Sequence, residues 1–222
     1  MVLATVPPAG TEVDPGTLVD MKTGEEVVND RTGDTASPAT IFEDNFSNPS
    51  RGLSGLLIVH SRLQGDGLRV YEARDYTSSI VFGKACASRD VIVEVDAKAI
   101  RGKPEDTSMG VVCRAGTWDS EYYLGIRPDG YAMITKMLSD SQTVTLIAGY
   151  HRGAIGRSGP TVHVRGECIG DKLALYVNGQ KVEEATDSEL GYYGWVGLFV
   201  GNEAEAPPRA DVSFDDFVVR LP

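Results

Sequence analysis

Alternation of apolar and polar side chains with a period of two is the feature that most constrains the fold of this chain. Asp90–Ile100 reads DVIVEVDAKAI, in which Val91, Val93, Val95 and Ala97 fall on one side and the charged residues on the other. Similar short runs recur roughly every 8–12 residues, separated by turn residues, and no window shows a helical period. The pattern predicts about a dozen β-strands in a sandwich or barrel.

Turn residues connect these predicted strands at short range. The pair Asn178-Gly179 is a strong hairpin signal and joins LALYV to KVEEA. The run Arg127–Gly130, RPDG, has proline and glycine where a tight turn requires them. A length of 222 residues suits one β-sandwich. We therefore expect an all-β fold of two antiparallel sheets.

Residues 1–40 differ in composition from the rest of the chain. They are rich in Pro, Gly, Asp, Glu and Thr and poor in aromatic residues, which is typical of a linker. Within them, TLVDMKTGEEVV fits a small hairpin with its turn at Lys22–Gly24. We predict an N-terminal arm over residues 1–40 and one domain over residues 41–222. The arm is expected to pack against its own domain or against a neighbouring subunit.

The charge balance excludes two classes of partner. With 21 basic and 32 acidic residues, the chain carries a formal net charge of −11, which repels phosphate backbones and anionic lipids. Nucleic acid is therefore not an expected partner. No run approaches 18 apolar residues, so membrane insertion is not expected either. The start, MVLATVPPAG, lacks the basic and apolar regions of an intact signal peptide.

The three cysteines, Cys86, Cys113 and Cys168, show no metal-binding spacing. Each lies in or beside an apolar run, so a role as a small buried apolar side chain fits each cysteine as well as a specific chemical role does. An odd count leaves at least one thiol free or available to another chain. Cys113 with Cys168 is the one disulfide pairing that we single out for testing.

Several runs, in order, carry a resemblance to a known family. They are DVIVEVDAKA, GVVCR, EYYLGIRPDGYAMITK, VRGECIGDKLALYVNGQKVEEATD, GYYGWVGLFVG and VSFDDFVV. Together they resemble the concanavalin A-like, laminin-G-like jelly-roll domains of bacterial surface proteins. They are also similar to the keto-disaccharide-hydrolase-like group of that superfamily. The resemblance spans residues 41–220 and implies a two-sheet jelly roll. It does not imply one function, because this fold hosts lectins, enzymes and structural modules.

Retaining glucanases are the nearest enzymes that the resemblance suggests. They carry E-x-D-x-E on one strand, because alternate positions face the same cleft and supply the two carboxyl groups of the reaction. Here Glu94 and Asp96 match, but the third acid is replaced by Lys98. We therefore expect no catalytic residues. The alternative role for these three side chains is a solvated strand face whose charges partly neutralise one another.

Many domains of this superfamily hold a structural calcium near the junction of the first and last strands. Calcium prefers carboxylate and carbonyl oxygens. The resemblance implies Asp44, the carbonyl of Gly67, and Asp215 or Asp216 as ligands. The apolar alternation slips at Asp215-Asp216, which predicts a bulge that could turn an acid out of register. The alternative is that both acids flank the bulge and face water.

Sugar binding requires exposed aromatic faces with a few hydrogen-bonding side chains beside them. One hairpin and its approach bring such residues together in the sequence. In the Tyr-Tyr pair of this hairpin, alternation must send one ring inward. The candidate glycan ligands are Arg114, Trp118, Asp119, Tyr122, Tyr123 and Tyr131.

Three functional hypotheses follow. The leading one is a non-catalytic recognition module of a cell-surface or extracellular protein, with a glycan or protein partner. The second is a structural assembly subunit, such as a virion, filament or surface-layer component, that forms homo-oligomers through residues 1–40. The third is a glycoside hydrolase-like enzyme. Apart from structural calcium, no cofactor is expected.

Overall fold

A computed structural model describes most of residues 37–222. The described ranges are 37–47, 61–64, 67–71, 77–85, 88–116, 120–138, 142–156, 161–191, 194–203 and 209–222, with the backbone alone described for 61–64 and 77–85. The compact unit that holds both sheets spans Pro38–Pro222. The predicted arm covers residues 1–40, and the described ranges include only its last four residues, 37–40. The predicted hairpin lies outside the described ranges. The division into arm and domain therefore stays a prediction.

The described chain contains fourteen strands and one short helix. In chain order they are β1 (Ala39–Asp44), β2 (Ser61–Gln64), β3 (Gly67–Tyr71), β4 (Thr77–Ala85), β5 (Val91–Arg101), β6 (Thr107–Ala115), β7 (Glu121–Ile126), β8 (Tyr131–Met137), β9 (Thr143–Tyr150), α1 (Arg152–Ile155), β10 (Val162–Ile169), β11 (Lys172–Val177), β12 (Gln180–Thr186), β13 (Trp195–Asn202) and β14 (Asp211–Leu221).

The strands form two sheets. Sheet A has eight strands, in the order β12-β11-β10-β5-β14-β3-β2, with β1 also paired to β14. Sheet B has six strands, in the order β4-β13-β6-β7-β8-β9. The pairings of both sheets are antiparallel. The predicted all-β jelly-roll architecture of two antiparallel sheets is confirmed.

Alternation along the strands places one face of each sheet in a shared core. In β5, Val91, Val93, Val95 and Ala97 are buried in that core, as predicted, while Lys98 is exposed. In β10, every second residue from Val162 to Cys168 is buried. Sheet B contributes its own alternate residues, among them Val111, Leu124, Ile134 and Leu198. The core therefore lies between the sheets, and each sheet keeps one outer face.

The predicted slip in β14 is a bulge. The register of β14 against β5 shifts between Asp215 and Val218, and Asp216 has a positive φ of 48°. The extra residue lets Phe214 and Phe217 both point into the core, where both are fully buried. The bulge thus keeps apolar side chains directed into the core on both sides of the position where the alternation in the sequence slips.

A disulfide joins the two sheets through the core. Cys113 lies on β6 of sheet B and Cys168 on β10 of sheet A, and the structure bonds their sulfur atoms with Cα atoms 6.8 Å apart. Both side chains are buried. The bridge therefore links the sheets directly. Cys86 lies outside the described residues.

Candidate functional site

The two outer faces of the sandwich differ in chemistry. On sheet A, the outer face carries charged side chains, including Glu94, Asp96 and His163. On sheet B, the outer face carries a second apolar cluster with Tyr123 and Phe199 among its members, where polar residues would be expected on a solvated face. Tyr123 and Phe199 are only 6% and 2% exposed, so this cluster is not an open apolar patch.

Charges on the outer face of sheet A pair with one another. The Nδ1 of His163 lies 2.7 Å from the Oδ1 of Asp96, and its Nε2 lies 3.2 Å from the Oε2 of Glu94. The Nε of Arg220 donates to the other Glu94 oxygen at 3.0 Å. Burial opposes the charge of Glu94, but the hydrogen bonds from Arg220 and His163 outweigh it and lower the pKa of that carboxyl. His163 and Arg220, rather than Lys98, therefore bind this carboxylate.

Two glycines on the outer face of sheet B seat an aromatic ring. Gly110 on β6 pairs with Gly125 on β7. A Cβ at Gly125 would clash with the Cζ of Phe199, and a Cβ at Gly110 would lie 2.9 Å from its Cε1. Tyr123 packs edge-on against the same ring, with centroids 5.1 Å apart. The glycines thus allow Phe199 to lie flat on the strands.

Tyr123 also holds a buried carboxylate on this face. Its hydroxyl donates to the Oε1 of Glu121 at 2.5 Å, and Glu121 is only 1% exposed. Trp195, Met133 and Met137 complete the cluster and are half-buried. This part of sheet B is therefore largely covered, and the accessible aromatic surface lies further along the face.

That accessible surface is the aromatic corner, which we define as Arg127, Asp129, Tyr131, Tyr150 and Arg152. The register of β8 and β9 pairs Tyr131 with Tyr150, whose ring centroids lie 5.2 Å apart in an edge contact. Tyr150 is 54% exposed, more than any other large hydrophobic side chain in the described ranges. The Cζ of Arg127 lies 4.3 Å from the Tyr131 ring centroid, and that of Arg152 lies 4.8 Å from the Tyr150 centroid. Each tyrosine therefore carries an arginine over its face.

Asp129 fixes the polar groups of the aromatic corner. Arg127 donates to both of its carboxylate oxygens, through Nε at 3.3 Å and Nη2 at 3.1 Å. The backbone N–H of Tyr131 donates to Oδ1 at 3.2 Å, and the hydroxyl of Tyr150 lies 3.4 Å from Oδ2. Burial would lower the pKa of Arg127, but the Asp129 carboxylate outweighs it and raises that pKa. Asp129 therefore links Arg127, Tyr131 and Tyr150 in one hydrogen-bonded group.

Gly130 is required where the turn meets Arg152. It has a φ of 99°, a conformation that side chains rarely adopt. A Cβ there would clash with the Cγ of Arg152 and lie 3.1 Å from its Cα. Its carbonyl accepts the N–H of His151 at 2.6 Å, which ties β9 to the turn. The glycine of the predicted RPDG turn therefore also positions the exposed arginine.

The residues predicted to bind glycan do not all share one surface. Tyr123 and Tyr131 lie on the outer face of sheet B, at opposite ends of the β7–β8 hairpin. Tyr122 faces the core. Trp118 and Asp119 lie outside the described residues. Sequence reasoning missed four candidate ligands. Two of them, Arg127 and Asp129, read as turn residues. Tyr150 ends β9 and Arg152 begins α1, and neither belongs to a motif.

Arg114 does not reach the outer surface where the sequence analysis placed it. It sits at a bulge between β6 and β13 with a positive φ of 53°, and it is 1% exposed. Its Nε donates to the carbonyl of Arg89 at 3.0 Å, and its Nη2 donates to that of Gly170 at 2.7 Å. Burial lowers the pKa of this guanidinium. Arg114 therefore ties together loops at one end of the sandwich.

Tyr122 closes the same end of the core through polar contacts. Its hydroxyl donates to the Oδ1 of Asp187 at 2.6 Å and accepts the N–H of Leu190 at 3.0 Å. Lys136 donates to Asp187 and to Glu189, each at 2.5 Å. Burial, and then the Asp187 hydrogen bond, raises the pKa of Tyr122 to about 12. These contacts make Tyr122 structural.

The four predicted calcium ligands lie near the junction of β1, β3 and β14. Asp44 is buried and its Oδ1 accepts the N–H of Phe46 at 2.8 Å. The N–H of Asp216 is bonded to the side chain of Asp215, and Asp216 is exposed. Gly67 pairs with the end of β2. Within the described ranges, no three Asp, Glu, His or Cys side chains group as metal ligands. Calcium at this junction stays a prediction.

Comparison by sequence finds no matching family model and no matching curated protein. Among the described residues, no helix is long and apolar enough to cross a membrane. Comparison by structure finds many similar folds.

Three solved structures show what this fold resembles. A β-1,3-1,4-glucanase (lichenase) from a mouse hindgut metagenome is 12% identical with a TM-score of 0.60, over 82% of this chain and 98% of that one. The carbohydrate-binding module CBM66 from Bacillus subtilis is 15% identical with a TM-score of 0.54, over 69% and 86%. A protein of unknown function with a galectin-like fold from Bacillus subtilis is 11% identical with a TM-score of 0.56, over 82% and 96%. The chain has the concanavalin A-like jelly-roll fold that the resemblance implies.

Proposed function

We propose that this chain is a non-catalytic carbohydrate-binding module that binds its glycan at the aromatic corner. The observation that carries the proposal is Tyr150, an exposed aromatic side chain with Arg152 over its ring and with Arg127 and Asp129 at its hydroxyl. Sugar rings present C–H faces that stack on tyrosine, while their hydroxyls bond to charged side chains at the edge. The corner supplies both kinds of contact where the β7–β8 turn meets the end of β9.

The fold supports the same class of function. Structures with this fold include a carbohydrate-binding module and a lichenase, so the architecture accommodates glycans in other proteins. A disulfide between the sheets suits an oxidising compartment, which supports an extracellular or cell-surface location. Glycans are abundant ligands in that location.

A glycoside hydrolase is the competing proposal, and the carboxylates of Glu94 and Asp96 favour it. They lie on one face of β5, as a retaining mechanism requires. However, Lys98 stands where the motif has the acid that protonates the leaving group, and Glu94 and Asp96 are both bonded to His163. Turnover of β-glucans that disappears in Glu94→Gln would establish the enzyme instead.

Assembly through residues 1–40 is a further proposal, and it is compatible with glycan binding. Light scattering of the full chain and of a variant starting at Ile41 separates the possibilities. A full chain that is oligomeric while the shortened chain is monomeric supports the assembly role. Two monomers at high concentration contradict it.

The test of the binding proposal is a glycan array followed by calorimetric titration of the glycans it identifies. Tyr150→Ala should weaken binding by roughly tenfold or more, as for an anchor residue. Tyr150→Phe keeps the ring and should weaken it less. Tyr71→Ala is the matched control, because Tyr71 is 37% exposed but lies on sheet A. Equal effects of the two alanine variants, or no binding to any glycan, would contradict the proposal.

A further inference from the structure

The two arginines of the aromatic corner differ in how their charges are balanced. Arg127 donates to both oxygens of Asp129 and also, through Nη1, to the Oε2 of Glu203 at 3.3 Å. Two carboxylates therefore surround its guanidinium. Arg152 donates through Nε to the backbone carbonyl of Asp129 at 3.3 Å. No carboxylate in the described ranges forms an ion pair with Arg152.

Arg152 is nevertheless held in position. Its guanidinium lies over the exposed ring of Tyr150, and its stem lies against Gly130. The carbonyl of Asp129 accepts the Nε–H, and no described residue accepts a hydrogen bond from the terminal nitrogens, Nη1 and Nη2. A guanidinium with two parallel free donors matches a carboxylate in a two-bond geometry. The structure thus presents a preorganised cation beside a stacking platform.

We propose that the aromatic corner selects acidic glycans, with a sugar ring against the exposed part of the Tyr150 side chain that Arg152 does not cover, and the carboxylate of a uronic acid on the terminal nitrogens of Arg152. This inference rests on the proposed carbohydrate-binding function and specifies its ligand class. The formal net charge of −11 repels polyanions over most of the surface. Preference for an acidic sugar must therefore come from a local cation, and Arg152 is placed to supply it.

The experiment compares acidic oligosaccharides with neutral counterparts of the same ring and linkage. The probes are oligomers of galacturonate, glucuronate and mannuronate, each beside its carboxyl-reduced form, titrated calorimetrically at fixed ionic strength. At least one acidic oligomer should bind roughly tenfold more tightly than its reduced form. Arg152→Gln should weaken binding of the acidic oligomer more than binding of its reduced form, and so remove that difference.

Arg101→Gln is the matched control, because it removes an equal charge from an exposed position at the end of β5. It should keep the preference for the acidic oligomer. Equal affinities for an acidic oligomer and its reduced form, or equal effects of the two glutamine variants, would overturn the acidic-glycan inference. If neutral sugars still bind and Tyr150→Ala weakens them, the carbohydrate-binding function stands without it. If no glycan binds at all, the carbohydrate-binding function and the acidic-glycan inference are both wrong.

Discussion

Reduction of the Cys113–Cys168 disulfide should destabilise the sandwich by an amount set by the loop that it closes. The two cysteines are separated by 55 residues in sequence. For a loop of that length, cross-linking removes about 14 cal/mol/K of entropy from the unfolded chain, which is about 4 kcal/mol at about 25 °C. With a urea m-value of about 2 kcal/mol/M, the unfolding midpoint should fall by about 2 M.

The assay is equilibrium urea unfolding of the unmodified chain with and without reductant, followed by far-ultraviolet circular dichroism. Urea exposes the bridge, so reductant reaches it in the unfolded state. The double variant Cys113→Ala/Cys168→Ala is the control, and reductant should not change its midpoint. Its midpoint should lie somewhat below that of the reduced chain, because both side chains are buried and their removal leaves space in the core.

Two results would refute the reasoning about this bridge. One is a midpoint for the unmodified chain that reductant moves no more than it moves the double variant. The other is peptide mapping under non-reducing conditions that finds Cys113 and Cys168 alkylated as free thiols. Either result would mean that the sheets are held together by packing alone.

Three further predictions concern the end of the core, the turn and the metal. Burial and the Asp187 hydrogen bond raise the pKa of Tyr122 to about 12. The folded state therefore holds this proton more tightly, and the stability it contributes, about 3 kcal/mol, should be lost between about pH 10 and pH 12. The free energy of unfolding of Tyr122→Phe, measured from about pH 9 to about pH 12, should lack that loss. The same pH dependence in the variant and the unmodified chain would contradict the role of Tyr122. Gly130→Ala should lower stability by about 1 kcal/mol and also weaken glycan binding by displacing Arg152. Gly179→Ala is the control for Gly130→Ala, because Gly179 has a positive φ of 80° and a Cβ there would meet open space. It should lower stability while glycan binding stays intact. Equal glycan binding by the two variants would refute the role of Gly130 in positioning Arg152. Calcium at millimolar concentration should raise the unfolding temperature, and Asp44→Asn should abolish the rise. If the unmodified chain shows no rise, the calcium prediction is wrong.

Sequence alone predicts the strands because their pattern is local. In β5 and β10 the alternation of side chains is regular, and it identifies the buried face correctly. The slip at Asp215-Asp216 also predicts the bulge in β14, because two phenylalanines on either side of it must both be buried. Local pattern and core packing agree at these positions, so one sequence is enough.

The candidate site is harder to predict because it depends on register between strands. Alternation requires one ring of the Tyr122-Tyr123 pair to face inward, but it does not say which one until the hairpin register is known. Tyr131 and Tyr150 meet only because β8 and β9 pair them across a loop. No single-strand pattern indicates that pairing.

Arg114 illustrates a second limit of sequence reasoning. An arginine at the end of a strand is normally expected in solvent. Here a bulge and a positive φ turn it inward, where backbone carbonyls accept its hydrogen bonds. Those carbonyls belong to loops that are distant in sequence, so only the folded structure reveals that the residue is structural.

Mapping the ligand onto the surface tests the central claim most directly. Amide chemical shifts of the isotope-labelled chain should be recorded while the tightest glycan from the array is added. We expect the largest shifts at residues 127–131 and 149–153, around the aromatic corner on sheet B. Largest shifts at residues 94–98 and 163–167, on the outer face of sheet A, would contradict the placement of the site.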